Sequence, residues 1–167
     1  MSDLNLASEA LDRYSRQIVM DDIGPDGQAI LLDASVLVVG AGGLGSPAIA
    51  YLGAAGVGEL GIIDDDVVER SNLHRQVIHT EDDIGRPKVD SARDFLAARN
   101  PDVTVATHET RLQPGNVAQL VDGYDLVVDG SDNFATRFLV NDACTLADIP
   151  FSHGAVFRFE GQVTTFD

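Results

Sequence analysis

The chain has 167 residues, enough for one domain with a substantial core, and 44% of them are hydrophobic, which excludes a disordered chain. Its 27 acidic residues against 11 basic ones leave a formal net charge of −16, which argues against direct nucleic-acid binding, since neutralising phosphates needs clustered Lys and Arg. No apolar run reaches the roughly 18 residues of a membrane span, and the start Met1-Ser2-Asp3-Leu4-Asn5 has neither a basic region nor an apolar core, so a cytoplasmic protein is expected.

In chain order, Ser8 is placed to cap a first helix carrying Leu11, Ile18 and Val19, and Gly24-Pro25-Asp26-Gly27 reads as its breaker. A short helix then runs to about Asp33. Residues 35–40, Ser-Val-Leu-Val-Val-Gly, form a short β-branched run without alternation, the mark of a parallel strand covered on both faces. Residues 44–55 are small and apolar and predict a helix packed closely on that strand. A second strand is expected over 60–64, a helix over 87–99 from the spacing of Val89, Ala92, Phe95 and Leu96, and a third strand over 103–107. A helix near 116–121, a strand over 124–129, a helix over 133–147 and strands over 151–156 and 162–166 complete the chain. This alternation predicts an α/β fold, a Rossmann-like doubly wound and mostly parallel sheet, with an N-terminal helical segment over 1–34 and a nucleotide-binding core over 35–167. The sequence stops directly after a predicted strand, an ending expected of a fragment.

Gly40-Ala41-Gly42-Gly43-Leu44-Gly45 matches G-x-G-x-x-G between a predicted strand and a predicted helix. Such a turn lets a phosphate meet free N–H groups at the positive end of a helix. Asp64, ending the second strand, stands where a carboxylate accepts from ribose hydroxyls. The turn alone allows both NAD and ATP. The cations in the motifs around it favour a polyphosphate: Arg75 in Ser71-Asn72-Leu73-His74-Arg75-Gln76, the only lysine of the chain in Gly85-Arg86-Pro87-Lys88, Arg137, and Arg13 and Arg16 near the N-terminus. Asp129 and Asp132, at the end of the fourth strand, bring carboxylates where Mg²⁺ bound to such an anion takes oxygen ligands. Asp65 and Asp66 read as solvated.

Together the motifs resemble the MoeB/ThiF/HesA family, adenylyltransferases that activate ubiquitin-like sulfur carriers. The resemblance runs from about Arg13 to Phe166 and rests on Arg13-Tyr14-Ser15-Arg16-Gln17, the glycine-rich turn, Ser71 to Gln76, Gly85 to Lys88, Ser131-Asp132-Asn133 with Arg137, and Phe159-Glu160-Gly161-Gln162. It implies that Gly40, Gly42, Gly43 and Gly45 surround the ATP phosphates and that Asp64 binds the ribose. It implies further that Ser71, Asn72, Leu73, His74, Arg75 and Lys88 contribute to the nucleotide site, and that Asp132 binds Mg²⁺ with Asn133 beside it. Arg16 would reach into the partner's site across a homodimer, so that Arg16, Arg75, Lys88 and Asp132 are the expected catalytic set. The implied substrate is the C-terminal Gly-Gly carboxylate of a small β-grasp carrier.

Family members carry Cys-x-x-Cys zinc pairs and a later cysteine that this sequence lacks, so zinc is not expected in this chain. Cys144, among Ala143, Leu146 and Ala147, reads as a buried thiol rather than a nucleophile, and His79, His108 and His153 as structural or surface residues. Arg86, Arg93 and Arg99 are expected to pair at the surface with Asp90 and Asp94, and Arg158 either faces solvent or lies near a carrier's tail. The acid excess resembles proteins of a high-salt cytoplasm, and a halophilic host is expected. Two rival functions remain at this point: an NAD-dependent oxidoreductase, and a non-catalytic nucleotide-binding dimer.

Overall fold

A computed structural model describes residues 7–167. Six strands form one sheet in the order β3-β2-β1-β4-β5-β6: β1 (Ser35–Val39), β2 (Glu59–Ile63), β3 (Thr104–His108), β4 (Leu126–Asp129), β5 (Phe151–Phe157) and β6 (Glu160–Phe166). The first five are parallel to one another, and β6 runs antiparallel to β5. Helices α4 (Gly45–Ala55) and α5 (Lys88–Arg99) follow β1 and β2, whereas α6 (Val117–Val121) and α7 (Phe134–Ala147) follow β3 and β4. This is the doubly wound α/β arrangement that the alternation predicts.

Two apolar clusters, one on each face of the sheet, form the core. Because side chains alternate along a strand, Val36 and Val38 pack with Ile49, Leu60, Ile62 and Leu96, while Leu37 and Val39 pack with Val121, Val127, Val140 and Phe151. The unbroken apolar run of β1 is therefore needed: each residue serves one of two covered faces.

The N-terminal segment departs from expectation. The helix begins at Ser8 itself, with Ala7 in the cap position and no side-chain cap, and it is divided at Tyr14 into α1 (Ser8–Arg13) and α2 (Ser15–Ile18). Tyr14 is buried there, its hydroxyl accepting from Asn100 Nδ2 at 2.7 Å. Gly24-Pro25-Asp26-Gly27 opens a helix, α3 (Gly24–Asp33), rather than only breaking one. Proline fits the first helical turn, where its missing N–H would have had no partner. Gln17 and the buried Gln28 both donate to the Ala55 carbonyl, at 3.1 and 3.0 Å, tying these helices to the end of α4 remote from the glycine turn. At the other end of the chain, the last strand starts at Glu160 rather than at residue 162, because Arg158-Phe159 makes a tight turn with Arg158 at φ 58°. Among the described residues, no helix is long and apolar enough to cross a membrane.

Candidate functional site

Neighbouring strands β1 and β4 send their chains to opposite faces, so the sheet opens a crevice beyond their C-terminal ends. A cleft of about 690 Å³ lies there. Its floor is the turn after β1, where Gly40 takes φ 92° and Gly45 packs so tightly that a β-carbon would lie 1.7 Å from the Gly40 carbonyl oxygen. Only glycine meets either demand, and the result is a backbone exposed to a ligand at the start of α4.

The end of β2 supplies Asp64, whose two oxygens accept from the Ala41 and Asp66 amides at 2.7 and 2.8 Å. Burial raises its carboxyl above the usual range, against the pull of those amides and of Lys88. Asp64, Asp65 and Asp66 bring carboxylate oxygens within 4.8 Å of one another.

Two basic side chains expected at the site reach the cleft. Arg75 lies against Gly43, where a β-carbon would come within 3.5 Å of its Cδ, and donates to the Ser71 carbonyl at 3.2 Å. Lys88, the first residue of α5, is buried and pairs with Asp66 at 2.7 Å. Asp66 is therefore the counter-ion of the chain's lysine rather than a merely solvated acid.

Asn72 lines the cleft from a 3-10 turn (Arg70–Asn72) that it also caps, its Oδ1 accepting from the Glu69 amide at 3.1 Å. Asp132 and Asn133 line the opposite wall, after β4. Asn133 caps α7 by accepting from the Thr136 amide at 2.9 Å. Asp132 is exposed, with a carboxylate open to the cleft. Asp129 is not: one of its oxygens accepts from the Ser131 amide at 3.0 Å and the other meets His153 Nδ1 at 2.7 Å. Of the two carboxylates expected near an anion, the structure leaves Asp132 to offer one.

Gly40, Gly42, Gly43, Asp64, Asn72, Arg75, Lys88, Asp132 and Asn133 thus meet in one cleft, and Gly45 backs it. Ser71, Leu73 and His74 do not line it; Ser71 holds Arg75 through its carbonyl, and His74 Nε2 lies 3.0 Å from Arg75 Nη1. Arg16 stands on α2, beyond the opposite end of α4 and α5, and does not line the cleft. Sequence reasoning missed Glu69, Gln76, Thr110, Arg111 and Thr136, all of which line the cleft. Gln76 stands inside a motif already singled out, whereas Arg111 is delivered only by the pairing of β3 beside β2.

Elsewhere, Arg93 pairs with Asp90 on the surface of α5 as expected, whereas Arg86 precedes the helix and joins Asp94 to the buried Asp83, and Arg99 lies over the Phe95 ring. Cys144 is buried, and burial pushes its thiol up to about 11.

A family model, the ThiF family, matches residues 14–167. This chain belongs to the ThiF family. It is 59% identical over 162 residues to the SAMP-activating enzyme E1 of Haloferax volcanii, covering 97% of this chain and 60% of that one. It is 52% identical over 158 residues to the sulfur carrier protein adenylyltransferase of Thermus thermophilus, covering 95% of this chain and 58% of the relative. Among solved structures, E. coli tRNA N6-threonylcarbamoyladenosine dehydratase, TcdA, in complex with ATP, superposes with a TM-score of 0.81 at 26% identity, over 91% of this chain and 64% of that one. The chain thus spans about three fifths of the length of these two sequence relatives.

Proposed function

We propose that this chain binds Mg·ATP and adenylates the C-terminal carboxylate of a ubiquitin-like carrier protein, releasing pyrophosphate. The carrying observation is the cleft at the strand switch: a glycine turn with open amides, Arg75 and Lys88 on one wall, and the free Asp132 carboxylate on the other. The names of the relatives, an E1 and a sulfur carrier protein adenylyltransferase, and the ATP complex of TcdA support the same reading.

The chemistry asks little of the protein in acid–base terms. A carrier carboxylate is already ionised at neutral pH and attacks the α-phosphorus, and the bond to the leaving pyrophosphate breaks. The obstacle is repulsion between two anions and the charge gathering on the leaving group, which fixed cations and positioning overcome. In this reading the open amides of the turn and Arg75 hold phosphate oxygens, Lys88 leaves Asp66 for the nucleotide, and Asp64 takes the ribose. Asp132 supplies the carboxylate of an oxygen-ligand Mg²⁺ site; the metal, when bound, offsets phosphate charge. Arg16 would act from a second copy. Exposed Phe134 and Phe138, one turn apart on α7, support an association face.

The test is carrier-dependent ATP–pyrophosphate exchange in molar KCl with Mg²⁺, using a Gly-Gly-ended ubiquitin-like protein. Exchange is expected, and Arg75→Ala and Asp132→Ala should lose it while staying folded, each at a cost of about 3 kcal/mol in the transition state. Wild-type turnover in either variant would sink the assignment. ATP binding without exchange would point instead to the non-catalytic nucleotide-binding dimer. NAD binding in place of ATP would restore the oxidoreductase, which leaves Arg75 and Lys88 without a task.

A further inference from the structure

The glycine turn is held from behind by a side chain that plays no part in the reading above. His79 is 5% exposed and lies under the turn. Its Nε2 is 3.0 Å from the Ala41 carbonyl oxygen and its Nδ1 is 2.8 Å from Ser91 Oγ. A carbonyl has no proton to give, so Nε2 carries the hydrogen and donates, and in the neutral ring Nδ1 accepts from the Ser91 hydroxyl. Burial, the largest influence, and the nearby Lys88 both push the imidazole below its usual range, which keeps the ring neutral and its tautomer single.

Residue Ala41 is therefore held at both of its backbone polar groups. Its N–H donates to Asp64, and its C=O accepts from His79, with the Ser46 hydroxyl a more distant donor at 3.4 Å. In a trans peptide the next N–H points opposite to the carbonyl. That N–H belongs to Gly42, which lines the cleft, and no acceptor among the described residues meets it. Fixing the carbonyl downward thus aims the Gly42 amide upward. The same ring reaches Ser91, which stands three residues after Lys88 on α5. One imidazole joins the turn to the helix that carries the phosphate-side lysine.

We infer that His79 is a positioning residue for nucleotide phosphate: it touches no ligand but orients the Gly42 amide and sets α5, with Lys88, against the glycine turn. This rests on the nucleotide reading of the cleft. His79→Leu removes the donor and keeps the bulk, whereas His79→Gln can present an amide N–H near the position of Nε2. Ser91→Ala frees Nδ1 and loosens the ring without removing it.

The experiment is calorimetric titration of the full chain and these three variants with ATP and with adenosine, each variant's melting temperature being measured in parallel. A phosphate-positioning role predicts that His79→Leu binds ATP roughly three- to tenfold more weakly, the equivalent of one neutral hydrogen bond, with adenosine affinity unchanged. His79→Gln should recover most of the loss, and Ser91→Ala should show a smaller loss of the same selectivity. Equal loss for ATP and adenosine, or no loss for either, overturns the inference while leaving the nucleotide reading intact. If His79→Leu does not fold, the Ser91→Ala ratio of ATP to adenosine affinity decides in its place. Failure of the wild-type chain to bind ATP would instead overturn the nucleotide reading.

Discussion

Lys88→Met separates ligand binding from folding. The side chain is 6% exposed and its partner Asp66 is 67% exposed, with Nζ and the carboxylate 2.7 Å apart. Removing one member of a buried pair is costly when it strands the other in a dry interior. Here the carboxylate left behind already faces water and simply rehydrates. Methionine fills the space of the lysine stem, and the backbone bond from the Lys88 amide to the Asp66 carbonyl, 3.0 Å, is untouched. The change in folding stability should stay within about 1 kcal/mol, which for a chain of this size is roughly 2–4 °C in melting temperature. ATP binding should suffer more. A hydrogen bond to a charged group contributes about 1.5–3 kcal/mol, so affinity should fall roughly 10- to 150-fold. Titration calorimetry with ATP, beside thermal melts under the same salt, measures both quantities. Undiminished ATP affinity would refute the phosphate role of Lys88. A melting point lowered by more than about 10 °C would refute the argument that Asp66 rehydrates freely.

Three further outcomes are expected. Cys144, buried with its thiol pushed up to about 11, should resist iodoacetamide near neutral pH until denaturant is added; rapid native labelling would contradict its burial. Melting temperature should rise from dilute to molar KCl, because a Debye length of about 3 Å at 1 M screens the repulsion among 27 acidic residues; equal melts would refute that account. In acid, three carboxylates held below their usual range, Asp83, Asp94 and Asp125, the last by hydrogen bonds from Ser35, should govern stability. Burial works to raise the Asp83 carboxyl, but hydrogen bonds from Thr80 and Arg86 outweigh it and hold it below its usual range, and Arg86 does the same for Asp94. Groups with depressed folded values stabilise the fold above the unfolded carboxylate pKa of about 3.9 and lose that contribution as pH falls through the folded value. The raised Asp64 has the opposite sign, its native form taking up a proton first. The urea midpoint of the wild type should therefore fall below about pH 4 more steeply than that of Asp83→Asn, and parallel curves would count against the assignment.

The doubly wound architecture was readable from the chain because its signals are local. A β-branched run long enough to span a sheet, a glycine turn and then a small-residue helix can be laid out without knowing any distant partner. The glycine positions were readable for the same reason: φ 92° at Gly40 is a property of one residue's own backbone. Misread elements came where a distant contact overrides local preference. The helix division at Tyr14 answers to Asn100, and Gly24-Pro25 opens a helix that tertiary contacts hold through Gln28 and Ala55.

At the site, the order of residues already shows which chemical groups are available: one lysine, Arg75, the carboxylates of Asp64 and Asp132, and a glycine turn suited to phosphate. Folding alone decided how they are shared. Both oxygens of Asp129 are engaged, by Ser131 and His153, while those of Asp132 stay open, although the two residues look equivalent in the chain. Asp66 becomes the partner of Lys88, Arg111 arrives from a neighbouring strand, and His79 meets the glycine turn from well downstream in the chain. Each of these depends on where hydrogen bonds close and water is excluded, a three-dimensional condition that spacing along the chain does not encode.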